Sequence, residues 1–121
     1  MKTIVLIDDD AAIREAFTLM LRTDKFRVIA LPDGREVLTE QVTTPDLFVI
    51  DRHLSGMNGL DICRFIKGSE KYKKILVFIF SAVPDDVGIY KAVGADCFIA
   101  KPFSVKQMRE YIMRYTVDLN E

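Results

Sequence analysis

The chain has 121 residues, half of them hydrophobic and 29% charged, the mixture of one soluble globular domain with little room for a second. A formal net charge of −1 gives no sign of the basic face that marks a nucleic-acid binder. The longest apolar run, Ile75 to Phe80, is far too short to cross a bilayer, and the three acids that follow MKTIVLI do not fit a signal peptide, so a cytoplasmic protein with no membrane partner is expected.

The apolar run Ile4 to Ile7 predicts a first strand, closed by Asp8, Asp9 and Asp10. Ile13, Phe17, Met20 and Leu21 then recur at helical spacing. Phe26 to Leu31 predicts a second strand. A second helix follows over Gly34 to Val42, with Val37, Leu38 and Val42 on its apolar side and Asp33 and Glu36 at capping-box spacing. Leu47 to Ile50 predicts a third strand, ended by Asp51 and followed by RHLSGMNG. Leu60, Cys63 and Ile66 mark a third helix. The fourth strand, Ile75 to Phe80, leads into Ser81 and Ala82, and the fourth helix carries Val87, Tyr90 and Val93. Cys97 to Ala100 predicts the fifth strand, ending at Lys101 and Pro102. Ser104 and Gln107 have capping-box spacing before a last helix bearing Val105, Met108 and Ile112. Pro32, Pro45, Pro84 and Pro102 all fall at element edges. Cys63 and Cys97 lie far apart, without CxxC spacing, in apolar surroundings, and read as free thiols in a reducing compartment.

Strict strand–helix alternation implies a parallel sheet with helices on both faces, and three of the runs are continuous enough to be buried on both sides. The five-stranded form is a flavodoxin-like α/β three-layer sandwich of strand order 2-1-3-4-5 with five helices, whose ligand site lies beyond the carboxyl ends of the strands. Asp8, Asp9, Asp51, Ser81 and Lys101 all fall on that rim. Asp10 is read as a helix cap. Asp8, Asp9 and Asp51 would crowd like charges, which calls for a proton or a hard, oxygen-seeking cation such as Mg2+. A carboxylate can act as a nucleophile toward phosphorus, which gives Asp51 a role. Lys101 would neutralise a transferring phosphoryl group, Ser81 would hydrogen-bond it, and the small Ala82 would leave room for it.

The stretches VLIDDD, DLFVIDRHLSGMNGLDI, IFSA and GADCFIAKPF make the chain resemble, over nearly its whole length, the receiver domains of two-component response regulators, the chemotaxis-like single-domain receivers among them. The resemblance implies a phosphorylation-controlled switch with Asp51 as phosphoacceptor. Mg2+ would be held by Asp9 directly, by Asp8 largely through water, by Asp51 and by the backbone carbonyl of His53. Ser81 would be the switch hydroxyl, Phe98 the switch aromatic and Lys101 the phosphate-contacting cation. The Lys101-Pro102 peptide bond would be cis. A histidine kinase or phosphotransfer protein would supply the phosphoryl group, and an unknown downstream protein would read it. On this view residues 1–121 are one receiver with no output domain and no small-molecule substrate, either standing alone or taken from a longer regulator.

Some positions depart from the family's habit. Leu54-Ser55 stands where Met-Pro is usual, which predicts a less rigid loop. Asn58 replaces a common Asp, Ser81 a commoner Thr, and Phe98 a common Tyr, whose hydroxyl is lost. Competing readings fit less well. DRHLSG matches the DxHxxG signature of cobalamin-binding domains, but after the third strand rather than the first, and no Gly-Gly pair follows. A dehalogenase-type phosphatase needs DxD and then a hydroxyl residue after the first strand, where this chain has Asp-Asp-Asp-Ala. No phosphate-cradling glycine loop is present. A receiver that has lost phosphorylation and serves only as an interaction module is the alternative within the same fold. Tyr90, Phe98, Phe103 and Tyr111 read as core before interface, and Lys71, Lys73 and Lys74 as a solvated turn.

Overall fold

Five apolar runs pair into one all-parallel sheet. The strands are β1 (Thr3–Ile7), β2 (Arg27–Leu31), β3 (Leu47–Asp51), β4 (Leu76–Ser81) and β5 (Cys97–Ala100), in the order β2-β1-β3-β4-β5. Between and after them run α1 (Ala11–Arg22), α2 (Arg35–Leu38), α3 (Gly59–Gly68), α4 (Val87–Ala92) and α5 (Val105–Asp118). This computed structural model describes residues 1–22, 26–82, 87–102 and 104–118. Pro84 and Phe103 lie outside the described residues, as do the side chains of Val87 and Val105. The architecture is the flavodoxin-like sandwich expected, and no described helix is long and apolar enough to cross a membrane.

Because successive strand residues point to opposite faces, the central strands feed two cores at once. Val5, Ile7, Phe48 and Ile50 pack under α2, α3 and α4 with Val37, Ile62, Cys63, Ile66 and Tyr90. Ile4, Leu6, Leu47 and Val49 pack under α1 and α5 with Phe17, Leu21, Met108 and Ile112. Strand β3 is buried along its whole length, so the residue that ends it is carried to a fixed point at the rim.

Two strands run one residue further than their apolar runs. Asp51 pairs with Phe80 and Ser81 with Ala100, so both polar residues are the last rungs of the ladder. Their backbones are held by the sheet itself, which a reading of apolar runs alone stops short of.

Helix ends follow local chemistry. Asp10 caps α1, its Oδ1 accepting from the amides of Ala12 and Ile13 at 2.8 and 3.3 Å, and Ser104 caps α5 by accepting from Gln107 at 2.9 Å. The capping box expected at Asp33 and Glu36 does not form. Asp33 sits one residue too early, so its Oδ1 accepts from the Arg35 amide at 2.9 Å while Oδ2 pairs with the Arg35 guanidinium at 3.0 Å. Gly34 occupies the cap position without a side-chain bond, and α2 is only four residues long. Leu38, expected on its apolar side, is instead 38% exposed, while Val42 is buried beyond the helix end. Both cysteines are free; Cys63 is buried and Cys97 half-buried. Tyr90 is core, 2% exposed, and Tyr111 is partly buried. Lys71, Lys73 and Lys74 are exposed, with Lys71 donating to the Glu40 carbonyl at 2.7 Å and Lys73 paired with Glu70 at 2.9 Å.

After Asp51 the chain makes a short antiparallel ribbon, His53–Leu54 against Met57–Asn58, turning at Ser55 and Gly56. Gly56 has φ 75°, a conformation glycine adopts without strain. Asn58 caps α3 by accepting from the Leu60 amide at 2.9 Å. Gly59 then doubles back onto the strand end, its amide donating to the Arg52 carbonyl at 2.8 Å. A Cβ at this position would run into the Asp51 carbonyl and the Arg52 Cα. Gly59→Ala is therefore expected to destabilise the fold by about 1–3 kcal/mol, the usual range for forced overpacking. It should also shift the amide resonances of Asp51 and Arg52. A urea midpoint equal to the parent's would contradict this close approach.

Candidate functional site

Strand ends β1, β3, β4 and β5 bring Asp8, Asp9, Asp51, Ser81 and Lys101 to one rim, as the topology requires of residues at their carboxyl ends. Carboxylate oxygens of Asp8, Asp9 and Asp51 all lie within 4.8 Å of one another. Asp8 is fully buried and Asp51 5% exposed, whereas Asp9 is open to solvent.

Each acid is held differently. Asp8 Oδ1 accepts from the Asp10 amide at 2.8 Å, and its backbone carbonyl accepts from the Arg14 guanidinium at 2.8 Å. Its Oδ2 is buried with no hydrogen-bond partner. Asp9 Oδ2 accepts from the Ser55 amide at 2.8 Å, across from the β3 loop. Asp51 Oδ1 accepts from the His53 amide at 3.2 Å, and Oδ2 faces Lys101 Nζ at 3.4 Å.

Burial pushes the Asp8 carboxyl up from an ordinary 3.8 to about 6, with the charge of Asp51 adding to the rise against the hydrogen bond from Asp10. A buried carboxylate oxygen without a partner and two further carboxylates in reach, with no histidine or cysteine in the cluster among the described residues, make a hard oxygen-donor set. That set fits a divalent cation of the Mg2+ type and not zinc or a softer metal.

Lys101 is set by the fifth strand. Its amide donates to the Ser81 carbonyl at 2.8 Å, and its ammonium lies 4.8 Å from the centroid of the Phe80 ring. The Lys101-Pro102 peptide bond is cis. Ser81 is fully buried beside it and Ala82 is exposed at the rim. Phe98 is set back from the acids, half-buried, with its ring stacked on Tyr90 of α4 at 4.0 Å and 14°. The imidazole of His53 is exposed, while its backbone sits next to Asp51.

Two arrangements are not foreseen from the residues. Arg52, beside the nucleophile candidate, reaches α4, donating to the Tyr90 hydroxyl at 3.3 Å with its guanidinium 5.7 Å from that ring. No spacing in the chain announces a pair 38 residues apart. The Ser55–Asp9 bond is likewise unforeseen, although the absence of proline at position 55 is a sequence signal that an amide is available there.

A family model described as "Response regulator receiver domain" matches residues 4–113. The chain is 34% identical over 108 residues to the DNA-binding response regulator MtrA of Mycolicibacterium paratuberculosis, covering 87% of this chain and 47% of that protein. It is 32% identical over 119 residues to the transcriptional regulatory protein CseB of Streptomyces coelicolor, covering 93% and 50%. The chain thus spans about half the length of the curated relatives it matches. Among solved structures, the chemotaxis response regulator CheY4 of Vibrio cholerae superposes with a TM-score of 0.86 at 25% identity, covering 94% of this chain and 98% of that one. The response regulator DrrB of Thermotoga maritima does so with a TM-score of 0.87 at 26% identity, covering 98% and 54%.

The raised pKa of Asp8 has a measurable consequence. Without cation, the folded form holds a proton on Asp8 between pH 3.8 and about 6 that the unfolded chain has lost, so this group's contribution to stability falls as pH rises through that window. The loss is on the order of 3 kcal/mol. Asp8→Asn removes it, so in urea unfolding without cation the variant should gain stability relative to the parent as pH rises from 4 to 7. A difference independent of pH would show that Asp8 is not strained by burial.

Proposed function

The chain belongs to the response regulator receiver family, and on that premise we propose that Asp51 is the phosphoacceptor of this signalling switch. The observation that carries the reading is the setting of Asp51, rigidly placed at the end of a buried strand with one carboxylate oxygen facing Lys101 and the acid pair alongside.

The phosphodonor is a phosphohistidine of a histidine kinase or phosphotransfer protein. An Asp51 oxygen attacks phosphorus, and the P–N bond breaks with its electron pair going to the imidazole nitrogen. The imidazole departs neutral if its other nitrogen carries a proton, leaving an acyl phosphate on Asp51. Asp9 directly, Asp8 largely through water, Asp51 and the His53 carbonyl would hold Mg2+, which when bound neutralises charge on the phosphoryl oxygens. Lys101 supports that charge from the other side, pulled from its present partner Asp51 toward the new oxygens. Ser81 donates a hydrogen bond to the phosphoryl group, and Ala82 leaves space for it. The domain acts on its own Asp51.

The readout runs through Phe98. Its ring stacks on Tyr90, so a change in its orientation disturbs that stack and ties the state of Phe98 to α4. The phosphoryl group shifts the population between two arrangements only as far as it favours one of them energetically. A downstream protein then reads the α4–β5–α5 face. DNA binding, as in the name of the MtrA relative, is not assigned to these residues.

Mass spectrometry after incubation with Mg2+ and acetyl phosphate should show one added phosphate on the parent and none on Asp51→Asn, with the variant still folded. Full labelling of the variant would overturn the assignment. With beryllofluoride standing in for the phosphoryl group, amide resonances of Tyr90 and Phe98 should move along with those around Asp51. Changes confined to the Asp51 loop would show that the aromatic pair is not coupled to the site.

A further inference from the structure

Ser55 stands where the family usually has proline. Proline lacks a backbone N–H, so the family's usual residue offers no donor at this point. Here Ser55 does, and its amide donates to Asp9 Oδ2 at 2.8 Å across 46 residues of sequence. Asp9 is the exposed member of the three acids. Its neighbours Asp8 and Asp51 are buried and of like charge, which favours a solvent-facing carboxylate turning away from them. The Ser55 bond spans from one loop to the other and holds Asp9 within reach of its partners.

We propose that the Ser55 backbone amide is a positioning group for the divalent-cation site, holding Asp9 in ligating geometry before the cation arrives. The inference rests on the reading of Asp8, Asp9 and Asp51 as that site. The hydrogen bond uses one lone pair of one oxygen, leaving the other oxygen of Asp9 for the cation. Groups that hold a metal ligand in place contribute roughly 10–100-fold to metal affinity, and for a solvent-facing carboxylate the lower end applies.

The turn itself allows a clean test. Ser55 precedes Gly56, whose φ of 75° is that of the third residue of a type II turn, and proline is common at the position before it. Ser55→Pro therefore removes the donor while suiting the backbone, and Ser55→Ala keeps the donor while losing the hydroxyl. Calorimetric titration with Mg2+ alone, without phosphodonor, should show affinity lower by roughly tenfold in Ser55→Pro than in Ser55→Ala. In an Asp9→Ala background the proline substitution should produce no further loss, because the amide then has no carboxylate to hold. Equal affinity of the Pro and Ala variants, or the same loss with and without Asp9, overturns the proposal. If the parent binds Mg2+ and Asp9→Ala weakens it, while Ser55→Pro does not, the positioning role alone fails. If the parent does not bind Mg2+, the cation site fails and this role with it.

Discussion

Three carboxylates gathered within 4.8 Å of one another at the end of an apolar sheet oppose folding, and much of the surrounding structure is arranged around that repulsion. For Asp8, burial adds a larger cost than the neighbouring charges do. The residue is fully buried, one of its oxygens has no partner, and burial lifts its pKa to about 6. A core aliphatic at position 8 would fold more easily, but it could not ligate a cation. The strain is of the kind found where function overrides packing.

Compensation comes from backbone groups and one lysine. Amides of Asp10, Ser55 and His53 each donate to one of the three acids, and Lys101 pairs with Asp51. None of these satisfies the buried Oδ2 of Asp8. The site is thus only partly neutralised, and the acid excess that remains suits a hard divalent cation. Rigidity around the site comes from the ladder. Asp51 and Ser81 are last rungs on neighbouring strands, and Gly59 lets α3 start against the Asp51 backbone. One layer out, Arg52 ties the Tyr90–Phe98 stack to the strand end.

The five-strand alternation was legible because buried parallel strands read as continuous apolar runs such as Leu47 to Ile50 and Ile75 to Phe80, whereas the sheet order came from the flavodoxin-like fold that this alternation matches. The convergence of Asp8, Asp9, Asp51, Ser81 and Lys101 followed from that topology alone. Boundaries were less legible where polar residues extend a strand, since Asp51 and Ser81 belong to the ladder through backbone bonds that side-chain character does not reveal. The Asp33–Glu36 spacing misled because an adjacent Arg35 captured Asp33 by amide and guanidinium together. Arg52 on Tyr90 and Ser55 on Asp9 were out of reach for a different reason. Both are long-range contacts set by loop geometry, and no period in the chain encodes them.

If the acid cluster serves to make Asp51 a nucleophile toward phosphorus, its acyl phosphate can be trapped chemically. Borohydride reduces an acyl phosphate on aspartate to homoserine, so peptide mapping of protein treated with phosphodonor, Mg2+ and then borohydride reads the modified residue. Homoserine is expected at position 51 alone, and only when Mg2+ is present during phosphorylation. Homoserine at position 8 or 9, or at 51 with equal yield without a divalent cation, would contradict this role of the cluster.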